Sequence, residues 1–196
     1  GEVGFSCTVM QPATHDTASA VLAVPSTEED VIYISSGTWS LMGTELKEAD
    51  CREESRRANF TNEGGVDYRF RFLKNIMGLW MIQSVRKELP VKYSYAELCK
   101  MAEEVSDFPT VIDVNDQSFL SPDSMIEAIQ EYCRKHDQAV PETPGELAAV
   151  IYQNLARSYG ETVWEIEELT GKTYDKIHVV GGGSNADYLN ELTAWY

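Results

Sequence analysis

Residues 176–194, KIHVVGGGSNADYLNELTA, decide the reading of this chain. Lys176 to Val180 is a short apolar run of strand character, Gly181-Gly182-Gly183-Ser184-Asn185 is a turn, and a helical pattern follows. Three glycines at a strand-to-helix junction let backbone approach a ligand closely while N–H groups point at it. The same glycines also suit a tight connection that needs only their dihedral freedom. A dinucleotide fingerprint requires G-x-G-x-x-G early in a βαβ unit, with an acidic residue after the next strand. The sequence ends before such a unit could be built.

Working back along the chain, residues 144–170 form the longest helical pattern. Thr143 can cap it, Pro144 suits its first position, Glu146 completes a capping box, and Gly171 is a suitable stop. Shorter helices are expected over Tyr95 to Val105, from Ser121-Pro122-Asp123 to about Lys135, and from Asn75 to Pro90 on the period of Ile76, Leu79, Trp80, Ile82, Val85 and Leu89. Strands cluster earlier. Val31 to Ser35 and Trp39 to Gly43 read as a hairpin turning at Gly37-Thr38. Asn59-Phe60-Thr61 and Tyr68 to Phe72 read as short strands flanking the turn-like Asn62-Glu63-Gly64-Gly65. At the start, Val3 to Met10 reads as a strand, Thr14 to Pro25 as a small-residue helix, and Glu28-Glu29-Asp30 as a solvated loop. Without repeats or low-complexity tracts, one α/β domain with a mixed sheet and flanking helices is the economical account.

Composition narrows the function classes. The chain has 196 residues, 43% of them hydrophobic, and 16 Lys+Arg stand against 32 Asp+Glu for a net charge of −16. That charge opposes binding to nucleic acid and to anionic membranes. Any phosphate site must therefore use backbone N–H groups, a helix N-terminus and a divalent cation rather than a lysine cluster. No apolar stretch approaches a membrane span, and no basic-then-apolar signal opens the chain, so a cytoplasmic protein is expected. Cys7, Cys51, Cys99 and Cys133 are widely spaced and read as reduced thiols. The chain opens on Gly1 and stops at Trp195-Tyr196 inside a helical pattern, so both ends are expected to be cuts in a longer protein.

Two further motifs could carry chemistry. Ser35-Ser36-Gly37-Thr38 offers hydroxyl and backbone donors to a polyphosphate, or is an ordinary hairpin turn. Asp16, between His15 and Thr17 at a helix start, is either a capping carboxylate or a group that holds a polyhydroxylated substrate and accepts a hydroxyl proton. A metal-dependent phosphohydrolase built on His15-Asp16 lacks partners, because His136 and His178 are the only other histidines. Phe70, Phe72 and Trp80 read as core rather than as a sugar-stacking platform.

Taken together and in order, HDTASAV (15–21), YISSGTWSL (33–41), NFTNEGG (59–65), FLKNIMGLWMIQ (72–83) and VVGGGSNADYLNELTA (179–194) resemble the C-terminal half of the rhamnulokinases. These belong to the FGGY carbohydrate kinases of the actin/hexokinase/Hsp70 ATPase fold, whose two ribonuclease-H-like domains clasp a nucleotide between them. The resemblance covers nearly the whole chain. It implies ATP-dependent, Mg²⁺-assisted phosphorylation of L-rhamnulose at its 1-hydroxyl. Asp16 would be the general base, and His15, Asp16, Thr17 and Asn75 would bind the sugar. Thr38, Gln83, Gly181, Gly182 and Gly183 would bind the nucleotide, and no metal ligand is implied in this chain. Asn75 and Gln83 on one helix would lie about 12 Å apart along its axis, spanning sugar to nucleotide. The resemblance further implies that residues 1–196 are a partial C-terminal domain, lacking the N-terminal kinase domain and a last strand and helix, and inactive alone. A kinase for another ketose or polyol, and a non-catalytic actin-like nucleotide-binding module, are the competing readings.

Overall fold

The computed structural model describes residues 31–196 together with Gly4, Ser6, Thr8, residues 19–21 and Val24. His15, Asp16, Thr17, Cys7 and the Glu28-Glu29-Asp30 loop lie outside the described residues. Residues 19–21, within the expected first helix, are helical. Within the expected first strand, Gly4, Ser6 and Thr8 are not in strand, and Gly4 has φ +70°, a left-handed geometry that interrupts extended backbone.

Five strands form one sheet: β1 Ile32–Ser36, β2 Trp39–Leu46, β3 Thr61–Gly64, β4 Phe70–Met77 and β5 Ile177–Val180. Their order is β3-β4-β2-β1-β5, with β5 parallel to β1 and every other pair antiparallel. The β1–β2 hairpin is as short as expected, with Ser36 opposite Ser40 and the Gly37 N–H donating to Trp39 O at 2.9 Å. A parallel partner for β1 needs a long crossover. The helices between β4 and β5 supply it: α2 Trp80–Glu88, α3 Tyr95–Glu103, α4 Met125–Lys135 and α5 Pro144–Thr170. A short α1, Glu53–Arg57, precedes β3, and α6, Asp187–Trp195, follows β5.

Helix α5, about 40 Å long, carries the core. Thr143 Oγ1 accepts the Glu146 N–H at 3.2 Å, Glu146 Oε2 accepts the Thr143 N–H at 2.8 Å, and the helix ends at Gly171 with φ +68°. Both ends thus follow the sequence signals. Ile32, Ile34, Met42, Phe72 and Ile76, fully buried on the sheet, share one core cluster with Val150, Ile151, Leu155 and Ile166 of α5. Phe72 stacks on Phe60 at 4.6 Å between centroids. Trp80 is partly buried, its Nε1–H donating to Phe119 O at 3.3 Å.

Three expected boundaries are corrected. Asn75 does not begin a helix: it lies in β4 opposite Leu41, and the helix starts at Trp80, so no single helix joins Asn75 to Gln83. Asn62, Glu63 and Gly64 are not a turn but the edge strand β3, where polar residues are suited to one unpaired side, while Tyr68 lies in a 3₁₀ turn before β4. Helix α4 is capped by Ser124 rather than opened by Ser121-Pro122-Asp123. Ser124 Oγ accepts the Glu127 N–H at 3.1 Å, and the Glu88 carboxylate accepts the N–H groups of Met125 and Ile126 at 2.7 and 3.2 Å. An acid from α2 therefore fixes where α4 begins.

The loop after β2 is tied to the end of α5 through Asp50 and Arg52. Asp50 accepts from the Arg52 guanidinium at 2.6 and 2.9 Å, from the Arg52 N–H at 3.0 Å and from Ser55 Oγ at 2.8 Å, while Arg52 Nη2 also donates to Leu169 O. The Arg52 side chain foremost holds the Asp50 carboxyl well below the usual carboxylate range. The carboxylate therefore stabilises the fold fully above the ordinary carboxylate pKa of about 4, and this is lost as pH falls toward the folded value. Asp50→Asn is expected to lower the urea midpoint at pH 7 and to differ less from wild type at pH 3. A gap that does not narrow over that window would refute the assignment.

Candidate functional site

The parallel pair places the C-terminal ends of β1 and β5 side by side, with Ser35 opposite Val180. The two turns that leave these strands are therefore neighbours. Past β5, Gly181 adopts φ +86°, and a Cβ there would come within 2.7 Å of Ser36 O. Gly183 packs against the Ser36 side chain so closely that a Cβ would overlap Oγ, whereas a Cβ at Gly182 would meet nothing within 4 Å. Two glycines thus seat the turn on β1, and the middle one faces open space. Residues 182–185 form a 3₁₀ turn, held by Ser184 Oγ donating to Gly181 O at 2.8 Å and by Asn190 of α6 donating to Gly183 O and Ser184 O, each at 3.2 Å.

Past β1, the hairpin tip meets α2. Gly37 O accepts the Leu79 N–H and Thr38 O accepts the Trp80 N–H, both at 3.0 Å, so the hairpin carbonyls satisfy donors of the helix entry. This fixes Gln83, one turn further on, beside the tip: Thr38 Oγ1 lies 3.5 Å from Gln83 Oε1. Thr38 and Gln83, 45 positions apart in sequence, are brought together, with Thr38 two residues past Ser36, against which the glycine turn packs.

Beneath both turns, Ser40 Oγ and Tyr159 OH are hydrogen-bonded at 2.6 Å, linking β2 to the middle of α5. Burial pushes the Tyr159 hydroxyl up, opposed by the Ser40 and Ser36 hydroxyls, so it stays a neutral phenol at physiological pH. Tyr159 and Asn190 are supports that sequence reasoning missed. A tyrosine on an apolar stripe and an asparagine in a helix carry no signal until the fold places them under a turn.

Asn75 is separate from this group. It is exposed on β4 and lines a cavity of about 490 Å³ with Trp39, Leu41, Asn115, Gln117 and Leu120 among its walls. Its register partner Leu41 lies three residues along β2 from Thr38, so the sheet, rather than a helix, spans the roughly 10 Å between the two positions. Among the described residues no group of three His, Cys, Asp or Glu side chains is placed to hold a metal ion. Cys51, Cys99 and Cys133 are free thiols, and no helix of the described residues is long and apolar enough to cross a membrane.

A mixed sheet whose parallel strand ends carry a Gly-Thr hairpin and a glycine turn matches a family model over residues 32–195, the C-terminal domain of the FGGY family of carbohydrate kinases. The chain belongs to that family. It is 51% identical over 193 residues to a rhamnulokinase of Halalkalibacterium halodurans and 47% identical over 189 residues to one of Bacillus subtilis. These alignments take in 98% and 96% of the chain but 41% and 39% of the relatives, so it spans about two-fifths of their length. Among solved structures it resembles a xylulose kinase from Rhodospirillum rubrum, with TM-score 0.63, 14% identity, and coverage of 91% of this chain and 36% of that one. A kinase structure from Brucella ovis gives TM-score 0.62 at 12% identity, covering 91% and 37%. At these identities the structural likeness speaks for the fold.

Proposed function

We propose that this chain is the nucleotide-binding, base-bearing domain of a kinase that transfers the γ-phosphoryl group of ATP to the 1-hydroxyl of L-rhamnulose. The observation that carries the reading is identity of about one half to rhamnulokinases along nearly the whole chain. The sheet order and its one parallel pair suit a ribonuclease-H-like topology of the actin/hexokinase/Hsp70 kind. In this reading Thr38, Gln83 and the turn Gly181 to Gly183 hold the nucleotide. His15, Thr17 and Asn75 hold the ketose, and Asp16 takes the proton from O1 as O1 bonds to the γ-phosphorus. The bond from that phosphorus to the bridging oxygen breaks, and ADP leaves.

Phosphoryl transfer asks mainly for alignment and charge neutralisation, so one carboxylate in reach of the nucleophile suffices. With a net charge of −16 and no lysine cluster in the turns, the phosphates would be held by backbone N–H groups. Magnesium accompanying ATP would supply positive charge. Among the described residues no group of three His, Cys, Asp or Glu side chains is placed to hold it. The remaining kinase domain, with further phosphate and sugar contacts, is the partner this reading requires.

A substrate panel on the full-length parent tests the proposal. L-rhamnulose is expected to be the preferred acceptor with MgATP, and the 196-residue chain alone is expected to yield no ADP above background. Faster turnover of xylulose, ribulose or glycerol would replace the substrate assignment, and ATP binding without any turnover would favour a non-catalytic module.

A further inference from the structure

The cavity beside Asn75 has a composition unlike the rest of the chain. All eight residues that line it, Asn59 and Met77 among them, are uncharged. Charged residues make up 24% of the sequence. Its volume, about 490 Å³, is in the range of small-molecule sites. Leu120, 52% exposed, and Trp39, 42% exposed, present apolar surface there, with half-buried Leu41 between the hairpin tip and Asn75. Interleaved with these are the amides of Asn75, the register partner of Leu41, and of Asn115 and Gln117. Asn115 is fixed in place: its Oδ1 accepts the Met77 N–H at 3.0 Å and its own N–H donates to Asp113 Oδ1 at 2.9 Å.

An uncharged cavity lined by apolar side chains and amides suits a neutral molecule that is hydroxylated along its length and carries an alkyl end. A phosphate would find no cation there. Resting on the function proposed above, we infer that Trp39, Leu41 and Leu120 form the wall against which the C6 methyl of L-rhamnulose packs, making them specificity determinants for the 6-deoxy sugar. The reacting O1 has to face the nucleotide held near Thr38, which leaves the other end of the ketose for the cavity. The amides then hydrogen-bond the intervening hydroxyls, and the apolar wall leaves a 6-hydroxyl without a partner.

Such a wall discriminates modestly, because a single methyl or hydroxyl difference in an apolar pocket changes kcat/KM by about 10- to 200-fold. The test compares L-rhamnulose with L-fructose, its 6-hydroxy counterpart, in the full-length enzyme and in Leu120→Ser. Leu120 follows a 3₁₀ turn and is half exposed, so the substitution leaves the core intact. Leu120→Ala provides a second variant without a new hydroxyl. Leu120→Ser is expected to lower the L-rhamnulose to L-fructose ratio of kcat/KM about tenfold, and Leu120→Ala to lower it less. Trp164→Ser, at an exposed tryptophan remote in sequence and outside this cavity, should leave the ratio at its wild-type value. Equal losses on both sugars, or an unchanged ratio, would overturn the wall while leaving the kinase assignment standing. Wild-type enzyme without L-rhamnulose turnover would instead overturn the functional reading itself.

Discussion

Replacing Asp16 with Asn in the full-length protein is expected to lower kcat on L-rhamnulose by roughly 10²- to 10⁴-fold, the usual contribution of a positioned general base. In the proposed reading Thr38, Gln83 and the glycine turn, rather than Asp16, hold the nucleotide, so the KM for ATP should change little. This substitution separates the two readings of the residue. Asparagine caps a helix about as well as aspartate, so a purely structural Asp16 would tolerate it with little change in stability or rate. An amide cannot take a hydroxyl proton. The ketose 1-hydroxyl would then attack without a base, and the loss would fall on the chemical step at saturating substrate. The measurement is kcat with both substrates saturating, beside the thermal midpoint. A kcat within about threefold of wild type would remove Asp16 from the mechanism.

The parts of the fold that were legible in the sequence are those fixed by local chemistry. Thr143, Pro144, Glu146 and Gly171 bound α5 because capping and left-handed geometry are decided within a few residues. The Gly37-Thr38 hairpin was legible for the same reason. Strand β4 was not. One of its faces reads Phe70, Phe72, Lys74, Ile76, and the lysine breaks an otherwise apolar row because Lys74 pairs at 2.6 Å with Glu165, 91 residues away on α5. With that alternation obscured, Ile76 to Leu89 offered a helical period that absorbed Asn75. The polar run Asn62 to Gly64 resembled a turn because its order comes from partners elsewhere: Asn62 exchanges hydrogen bonds with Asp50 and Glu63 pairs with Arg71.

The candidate site divides along the same line. Motifs located Thr38 and the glycine turn, and the likeness to rhamnulokinases added Gln83 and Asn75. The hydrogen bonds from Leu79 and Trp80 to the hairpin explain why Gln83 belongs beside Thr38 although 45 residues separate them. Nothing local announces that contact. Likewise, Leu120 and Asn115 reach the cavity only because the long β4–β5 crossover folds back over β2 and β4.

Gly183→Ala is expected to produce the largest loss of nucleotide affinity among substitutions in the glycine turn. The added methyl would occupy the position of Ser36 Oγ and approach Ser36 Cβ to 2.5 Å. Ser36 is buried at the end of β1, in register with Ser40, which is itself anchored to Tyr159, so the strand has little freedom to retreat. The turn has to move instead, carrying the Gly182 and Gly183 N–H groups away from the nucleotide. Overpacking of this kind costs about 1–3 kcal/mol, and the expected readout is a lower thermal midpoint with a KM for ATP raised about tenfold or more, the equivalent of about 1.4 kcal/mol. The KM for the ketose should stay near wild type. Gly182→Ala supplies the contrast: its Cβ meets no protein atom within 4 Å, so stability should hold and any rise in the KM for ATP would reflect the ligand alone. The double variant Gly183→Ala/Ser36→Gly removes both clashing Ser36 atoms and should recover part of the loss, a coupling expected only of residues in direct contact. If Gly183→Ala binds ATP and melts as wild type does, the seating of the turn on β1 does not set the nucleotide site.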